Sequence, residues 1–153
     1  MQGWVRWLVV TLLVGAVVFL LTPLLPVPAT APQPPAAIFP FFVVLAFVES
    51  MAFGLGVAFL IFGRPLLTAT GVSPRLATAA YLSIAFLLAN WWPHDYIHRV
   101  TNGDWNRIVL VEYGFHLPLI LAGAVVAWFY VRVAMRSTRQ VQSEQGVLLG
   151  AGR

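Results

Sequence analysis

The 153-residue sequence contains no cysteine and no lysine, and it carries little charge of either sign. Without cysteine, the chain can form neither disulfides, nor thiolate metal sites, nor the covalent attachment of a c-type haem. Charged residues make up 9% of the chain, whereas a soluble domain has roughly 25%. The positive charges are few and scattered, without a run of about five like charges. No nucleic-acid partner is therefore expected.

Apolar residues dominate instead, forming 60% of the chain with a mean hydropathy of +0.86. A chain of this composition could not cover a water-facing surface, so the lipid bilayer must be part of its solvent. A membrane-spanning helix needs roughly 20 mostly apolar residues. We therefore predict an all-α integral membrane protein, a four-transmembrane-helix bundle over residues 1–133, followed by a flexible cytoplasmic tail over 134–153. The four predicted spans are residues 4–25, 38–62, 75–92 and 107–133.

The placement of arginine predicts the orientation of this bundle. Six arginines fall on one side: Arg6, Arg64, Arg75, Arg132, Arg136 and Arg139. Only Arg99 and Arg107 fall on the other side, where Asp95 and Asp104 offset their charge. Because positive charge collects on the cytoplasmic side, both termini are predicted to be cytoplasmic (N-in/C-in) in a multi-pass plasma-membrane protein.

The first connection, residues 23–37, contains six prolines and no charge. Proline fixes φ and cannot donate a backbone hydrogen bond, so an extended, polyproline-like strap is expected on the outer side. Residues 29–31 within it read Ala-Thr-Ala and resemble a signal-peptide cleavage site, which makes cleavage of the first span an alternative. Pro32 directly after this motif disfavours cleavage, and residues 91–107 face outward in both cases.

Asn102-Gly103 is a strong turn signal, and Asp104 can cap the helix that follows it. The third and fourth spans should therefore form a tight outer hairpin. Just before the turn, Asp95 and Arg99 stand four residues apart and predict a local ion pair. Pro93 predicts either a kink in the third helix or the start of a new short helix.

Two pairs of polar residues with helical spacing flank this turn. His94 and His98 are four residues apart before it, and Glu112 and His116 are four apart after it. At a rise of ~1.5 Å per residue, His94 should be level with Glu112 across the hairpin, and His98 should lie ~13 Å from His116. Asn90 shares the face of His94 and His98.

Imidazoles combined with a carboxylate form a ligand set that suits several transition metals. The candidate metal ligands are His94, His98, Glu112 and His116. We take His94 and Glu112 as the core of the site, completed by His98 or His116, because the expected spacing prevents one ion from reaching all four. A Zn, Cu or Fe ion is the expected cofactor. Haem b ranks below a bare ion, because His94 and His98 on one helix face cannot bind opposite sides of one ring, and pairing either of them with His116 requires the bundle to open.

Glu49 lies in the second span, ~16 Å below its outer end and level with the region of His116. A carboxylate at the bilayer centre costs at least ~2.5–3.5 kcal/mol, so it needs a partner, a proton or water. We assign Glu49, Asn90 and Asp95 to a proton relay or to the shell around the metal ligands. Pro118 frees the carbonyl of Gly114 and should kink the fourth helix beside His116.

An interfacial polar cap is the competing interpretation of the same region. Trp91, Trp92 and Trp105 are predicted to be membrane-interface anchors in an aromatic belt, and His98 could then simply meet water.

A second class of function is a non-catalytic accessory subunit whose Glu/His cluster stabilises the bundle or relays protons. Small residues recur every four positions as Ser50, Gly54 and Ala58, and again as Gly123 and Ala127. Such stripes allow close packing within the monomer, in a homo-oligomer or in a larger membrane complex. The sequence offers neither a nucleophile with a nearby base nor a nucleotide fingerprint, so it predicts no particular reaction.

Overall fold

A computed structural model describes residues 3–29, 31, 33–101 and 104–150. Within these ranges all regular secondary structure is helical, which confirms the all-α prediction. The helices are α1 (Gly3–Leu21), α2 (Phe39–Phe62), α3 (Arg64–Thr68), α4 (Pro74–Ala89), α5 (Trp91–Thr101), α6 (Trp105–Val111) and α7 (Leu117–Gly150). A 3-10 turn, Thr22–Leu24, follows α1, and a π-helical turn, Glu112–His116, joins α6 to α7.

Three helical segments are long and apolar enough to cross a membrane, namely Gly3–Leu24, Phe39–Phe62 and Asn106–Thr138. Helices α4 and α5 qualify only as a pair, bent by 48° where they meet. The described chain thus has three candidate spans, or four if the bent pair forms one. Their outer faces are apolar, because Leu20, Phe41 and Leu110 are 70%, 73% and 74% exposed. Such faces fit lipid better than water, while the four-helix membrane bundle and the cytoplasmic termini stay predictions.

Helix α1 packs along α2 at a close approach that depends on glycine. A Cβ added to Gly54 would clash with the carbonyl oxygen of Thr11 and lie 2.8 Å from the backbone nitrogen of Gly15. Ser50 and Ala58 on the same stripe are fully buried. The Ser50–Gly54–Ala58 stripe therefore packs within the monomer, whereas a Cβ on Gly123 would have no described atom within 4 Å.

The apolar core lies at the end of the bundle away from the histidines. Small residues of α4, Ala77, Ala80 and Ala85, pack against Phe59 and neighbouring side chains. The short helix α3 links α2 to α4 and is an addition to the predicted scheme, in which this segment is only a connection. Ser73 accepts a hydrogen bond from the backbone of Leu76 at 3.4 Å and so caps α4.

At the opposite end of the bundle, α5 is tied to the chain that follows α1. Trp92 Nε1 donates to Thr22 Oγ1 at 2.8 Å, and Tyr96 Oη donates to the carbonyl of Pro26 at 2.8 Å. The proline strap and α5 thus lie at the same end of the bundle, as the sequence predicts. The predicted turn Asn102-Gly103 is outside the described residues, but Asp104 caps α6 through the backbone N–H groups of Asn106 and Arg107.

Helix α7 continues to Gly150 and so runs through most of the segment assigned to a flexible tail. The helix has no break at residue 133, and the division of the chain there stays a prediction.

Candidate metal centre

The three histidines of the chain come from two helical segments that meet at one end of the bundle. His94 and His98 lie one turn apart on α5, and His116 closes the π-helical turn. Helix α4 ends at Ala89 with Asn90 as its C-cap, and α5 starts at Trp91 with Pro93 in its first turn, where the missing N–H costs no hydrogen bond. Pro93 therefore belongs to a new short helix, one of the two outcomes that the sequence allowed.

The imidazole nitrogens of these histidines converge on one point. His94 Nε2 lies 3.0 Å from His98 Nε2 and 3.2 Å from His116 Nε2. One ligand atom from each of the three side chains lies within 4.8 Å of the other two. Two ligands of a tetrahedral zinc ion stand about 3.3 Å apart, the separation that a Zn–N distance of roughly 2.0–2.1 Å requires. The three side chains are therefore close enough to hold a metal ion.

Hydrogen bonds alone satisfy this arrangement poorly. The Nε2 atom of a neutral imidazole has either one proton or one lone pair. His94 Nε2 has two nitrogen neighbours at hydrogen-bond distance, so it can form a good hydrogen bond with only one of them. A single cation shared by three lone pairs would satisfy both contacts at once.

Glu112 orients one of the three imidazoles. Its carboxylate lies 2.8 Å from His116 Nδ1, and its backbone carbonyl lies 3.2 Å from the same atom. Both are acceptors, so Nδ1 carries a proton, and in that tautomer of the neutral ring Nε2 presents its lone pair to His94. A carboxylate that holds the far nitrogen of a ligating histidine is the usual partner of a metal site.

This geometry corrects the predicted spacing within the cluster. The expected ~13 Å between His98 and His116 is wrong, because their ring centroids are 5.8 Å apart. The estimate assumed two straight, parallel helices, whereas α5 bends by 48° from α4 and His116 follows a π-helical turn. Glu112 was expected to be level with His94 as a ligand. It instead binds His116 and is not a member of the three-histidine group.

The π-helical turn lies where Pro118 was expected to kink the helix. Proline has no N–H to donate to Gly114, so the preceding turn is free to widen. The helical path from Asn106 to Thr138 remains one continuous span candidate. Pro118 thus indicates irregular helix geometry here, and the structure shows a π-helical turn where the sequence predicts a kink.

The residues assigned to a relay or second shell lie in different settings. Asp95 pairs with Arg99 at 2.6 Å, as the sequence predicts, and binds no histidine. Asn90 is 6% exposed at the junction of α4 and α5, and its side-chain nitrogen has no hydrogen-bond partner among the described residues. Glu49 is 8% exposed, and within the described chain its carboxylate has neither a hydrogen bond nor an ion pair. The charges that act on it are those of Asp95 and Arg99, rather than His116.

The tryptophans predicted to be interface anchors also differ from one another. Trp91 is 55% exposed, as an anchor in the interface would be. Trp92 is half-buried, bonds to Thr22 and packs its ring 5.5 Å from that of Phe53. Trp92 therefore holds α5 against the 3-10 turn that follows α1 and against α2. The side chain of Trp105 lies outside the described part of the structure.

Comparison of the chain with protein-family models, with curated proteins and with solved structures finds no match. The function must therefore be argued from the site itself.

Proposed function

We propose that this chain is a multi-pass membrane protein that binds one transition metal ion through His94, His98 and His116. The observation that carries the proposal is the convergence of three imidazoles, in which His94 Nε2 has two nitrogen neighbours within 3.2 Å. Glu112 supports it by holding Nδ1 of His116 at 2.8 Å. In this proposal Glu112 supports the ligand His116, whereas the sequence alone favoured a core of His94 and Glu112.

The ligand chemistry favours Zn, Cu or Fe. Neutral imidazole suits all three metals, and three protein ligands leave a coordination position for water or a substrate. Haem b is less well supported, because its two axial ligands must lie on opposite faces of a ring, whereas these nitrogens converge on one point. Since ligating imidazoles must be neutral, acid should release the ion.

The arginine bias supports a plasma-membrane protein with cytoplasmic termini and an outward-facing site. A homo-oligomer or a larger membrane complex is the proposed setting, and Gly123 offers an open small-residue position on α7.

Metal content of the detergent-purified protein, with its visible spectrum, tests the proposal. The expected result is near-stoichiometric metal in the wild type, its loss in His94→Ala, and its retention in Asn106→Ala, where an exposed polar side chain is removed. Metal-free wild-type protein with normal helical circular dichroism would sink the proposal. A Soret band would replace the bare ion with haem.

A non-catalytic accessory subunit is the second candidate function, and buried Glu49 favours it. A carboxylate that is 8% exposed and without a hydrogen-bond partner in the described chain is typical of proton-relay positions. Under this alternative the folded protein would contain no metal, and Glu49→Gln would abolish proton movement through the purified complex.

The orientation has a separate test, which the absence of cysteine makes clean. Single cysteines at Asn106 and Ser137, both exposed, should respond differently to an impermeant reagent added to intact cells. Labelling at position 106 and protection at 137 are expected. The reverse pattern would invert the proposed topology.

A further inference from the structure

A cavity of about 880 Å³ adjoins the candidate metal centre. It lies between the end of α1, the proline strap, the start of α2 and α5. Most of its wall is apolar and includes Phe19, Phe42 and Val43. Its ionisable side chains, Asp95, His98 and Arg99, all come from α5, and Thr22 and Gln33 are its other polar lining residues. His98 thus belongs both to the cavity wall and to the three-histidine group.

The size and lining of this cavity fit a small-molecule ligand with one polar end. Binding sites for small molecules measure about 300–1,000 Å³ and are mainly apolar with a few placed polar groups. Phe39 and Phe42 line the cavity and are also 55% and 46% exposed at the surface of α2. An apolar ligand in the surrounding lipid could therefore enter past them.

The charges at the polar end select against a charged head group. The guanidinium of Arg99 is already balanced by the Asp95 carboxylate at 2.6 Å, so an anion would find no uncompensated positive charge. A hydroxyl group can instead accept from the free N–H groups of Arg99 and donate to Asp95.

We propose that this cavity binds a neutral single-chain amphiphile with a hydroxyl head group, of the class of long-chain alcohols. The hydroxyl head lies at Asp95, His98 and Arg99, and the hydrocarbon chain lies against the phenylalanine wall. The link between the amphiphile site and the metal ion rests on the proposed function, in which His98 is a ligand of that ion. The amphiphile is then the class of molecule that the ion would meet.

Photo-crosslinking of the full, detergent-purified chain tests the binding step without metal. The probe is a long-chain alcohol with a diazirine in its chain, and labelled residues are mapped by mass spectrometry. Labelling is expected at the start of α2 and the strap. It should fall at least about tenfold in Ala46→Trp, because Ala46 lines the cavity. Leu45→Trp is the matched control, since Leu45 is 46% exposed on the same helix and does not line the cavity.

Competition decides the class of head group. Unlabelled alcohol should displace the probe, whereas a fatty acid and an alkylamine of equal chain length should compete at least about tenfold less well. Equal competition by all three, or labelling that Ala46→Trp leaves unchanged, would overturn the proposal in favour of non-specific apolar binding.

Cobalt substitution tests the link to the ion and separates the two proposals. Adding the alcohol should shift the visible bands of Co²⁺-loaded wild type but not those of Co²⁺-loaded Ala46→Trp. Cavity labelling in a protein that binds no metal would refute the proposed function alone. Metal binding without cavity labelling would refute the amphiphile site alone, and labelling without a band shift would refute the contact between them.

Discussion

The end of the bundle that carries the histidines and the remainder of its interior are built from different chemistry. In the remainder, Gly15 and Gly54 let α1 and α2 approach until backbone meets backbone, and Ala80 of α4 is fully buried. At the histidine end, half-exposed imidazoles and long-range hydrogen bonds such as Trp92 to Thr22 hold the segments together. Close packing should therefore control folding, and the polar end should control ligand binding. Substitutions in one region should have little effect on the property that the other controls.

Adding one methyl group at the closest helix contact should give the largest effect on folding. In Gly54→Ala the new Cβ meets the backbone of Thr11 and Gly15, so α1 and α2 must separate, at a cost of about 1–3 kcal/mol or more. Gly123→Ala is the matched control, because its Cβ has no described neighbour within 4 Å. Thermal unfolding in detergent measures both. Equal stability of the two variants would contradict the comparison.

Removing the Glu112 carboxylate should weaken metal binding without unfolding the chain. Loss of a partner that holds a ligating histidine typically lowers metal affinity by about 10–100-fold. Glu112→Ala should show this full effect in a competition titration with a chelating dye. Glu112→Gln should lose less, because its amide oxygen still accepts from His116 Nδ1. An unchanged affinity in Glu112→Ala would remove this carboxylate from the site.

The hydrogen bond between α5 and the 3-10 turn that follows α1 should contribute to stability on a smaller scale. Trp92→Phe keeps the ring near Phe53 but loses the hydrogen bond to Thr22, at a cost of about 0.5–1.5 kcal/mol in unfolding free energy. Trp91→Phe, on the exposed side of the same turn, should change it by less than about 0.5 kcal/mol. Equal losses in the two variants would mean that the hydrogen bond contributes nothing.

The smallest effect is expected at the Asp95–Arg99 pair. Both side chains are about 40% exposed, and exposed pairs of this spacing contribute about 0.3–0.5 kcal/mol or less. Asp95→Asn should therefore unfold within that margin of wild type at moderate salt. A loss of more than about 1 kcal/mol in unfolding free energy would show that this pair stabilises the fold more than an ordinary exposed ion pair does.

The features that the sequence predicts correctly are local. Asp104 caps the helix that follows it, and Asp95 meets Arg99 one turn away. Each depends on chain neighbours within four residues, so helical spacing alone is sufficient. The apolar spans are likewise visible as uninterrupted composition.

The assembly of the site is not local, and the sequence predicts it only in part. His94 and His116 meet across 22 residues, and their separation depends on the bend after Asn90 and on the π-helical turn. The positions of the prolines do not give the angle of this bend or the width of this turn. An estimate from straight helices therefore put Glu112, rather than His116, level with His94. Trp92 was likewise predicted to be an interface anchor. Its bond to Thr22 spans 70 residues, so helical spacing could not indicate it.

The π-helical turn also rotates α7 about the helix axis relative to α6. Each residue of an α-helix advances by about 100°, so the wide turn at Glu112–His116 changes which face α7 presents relative to α6. Helix α6 contacts α5, whereas α7 packs on α4. The helical path can therefore pack against two neighbours with different faces. The direction of the His116 side chain is set by the turn, separately from the interface between α7 and α4.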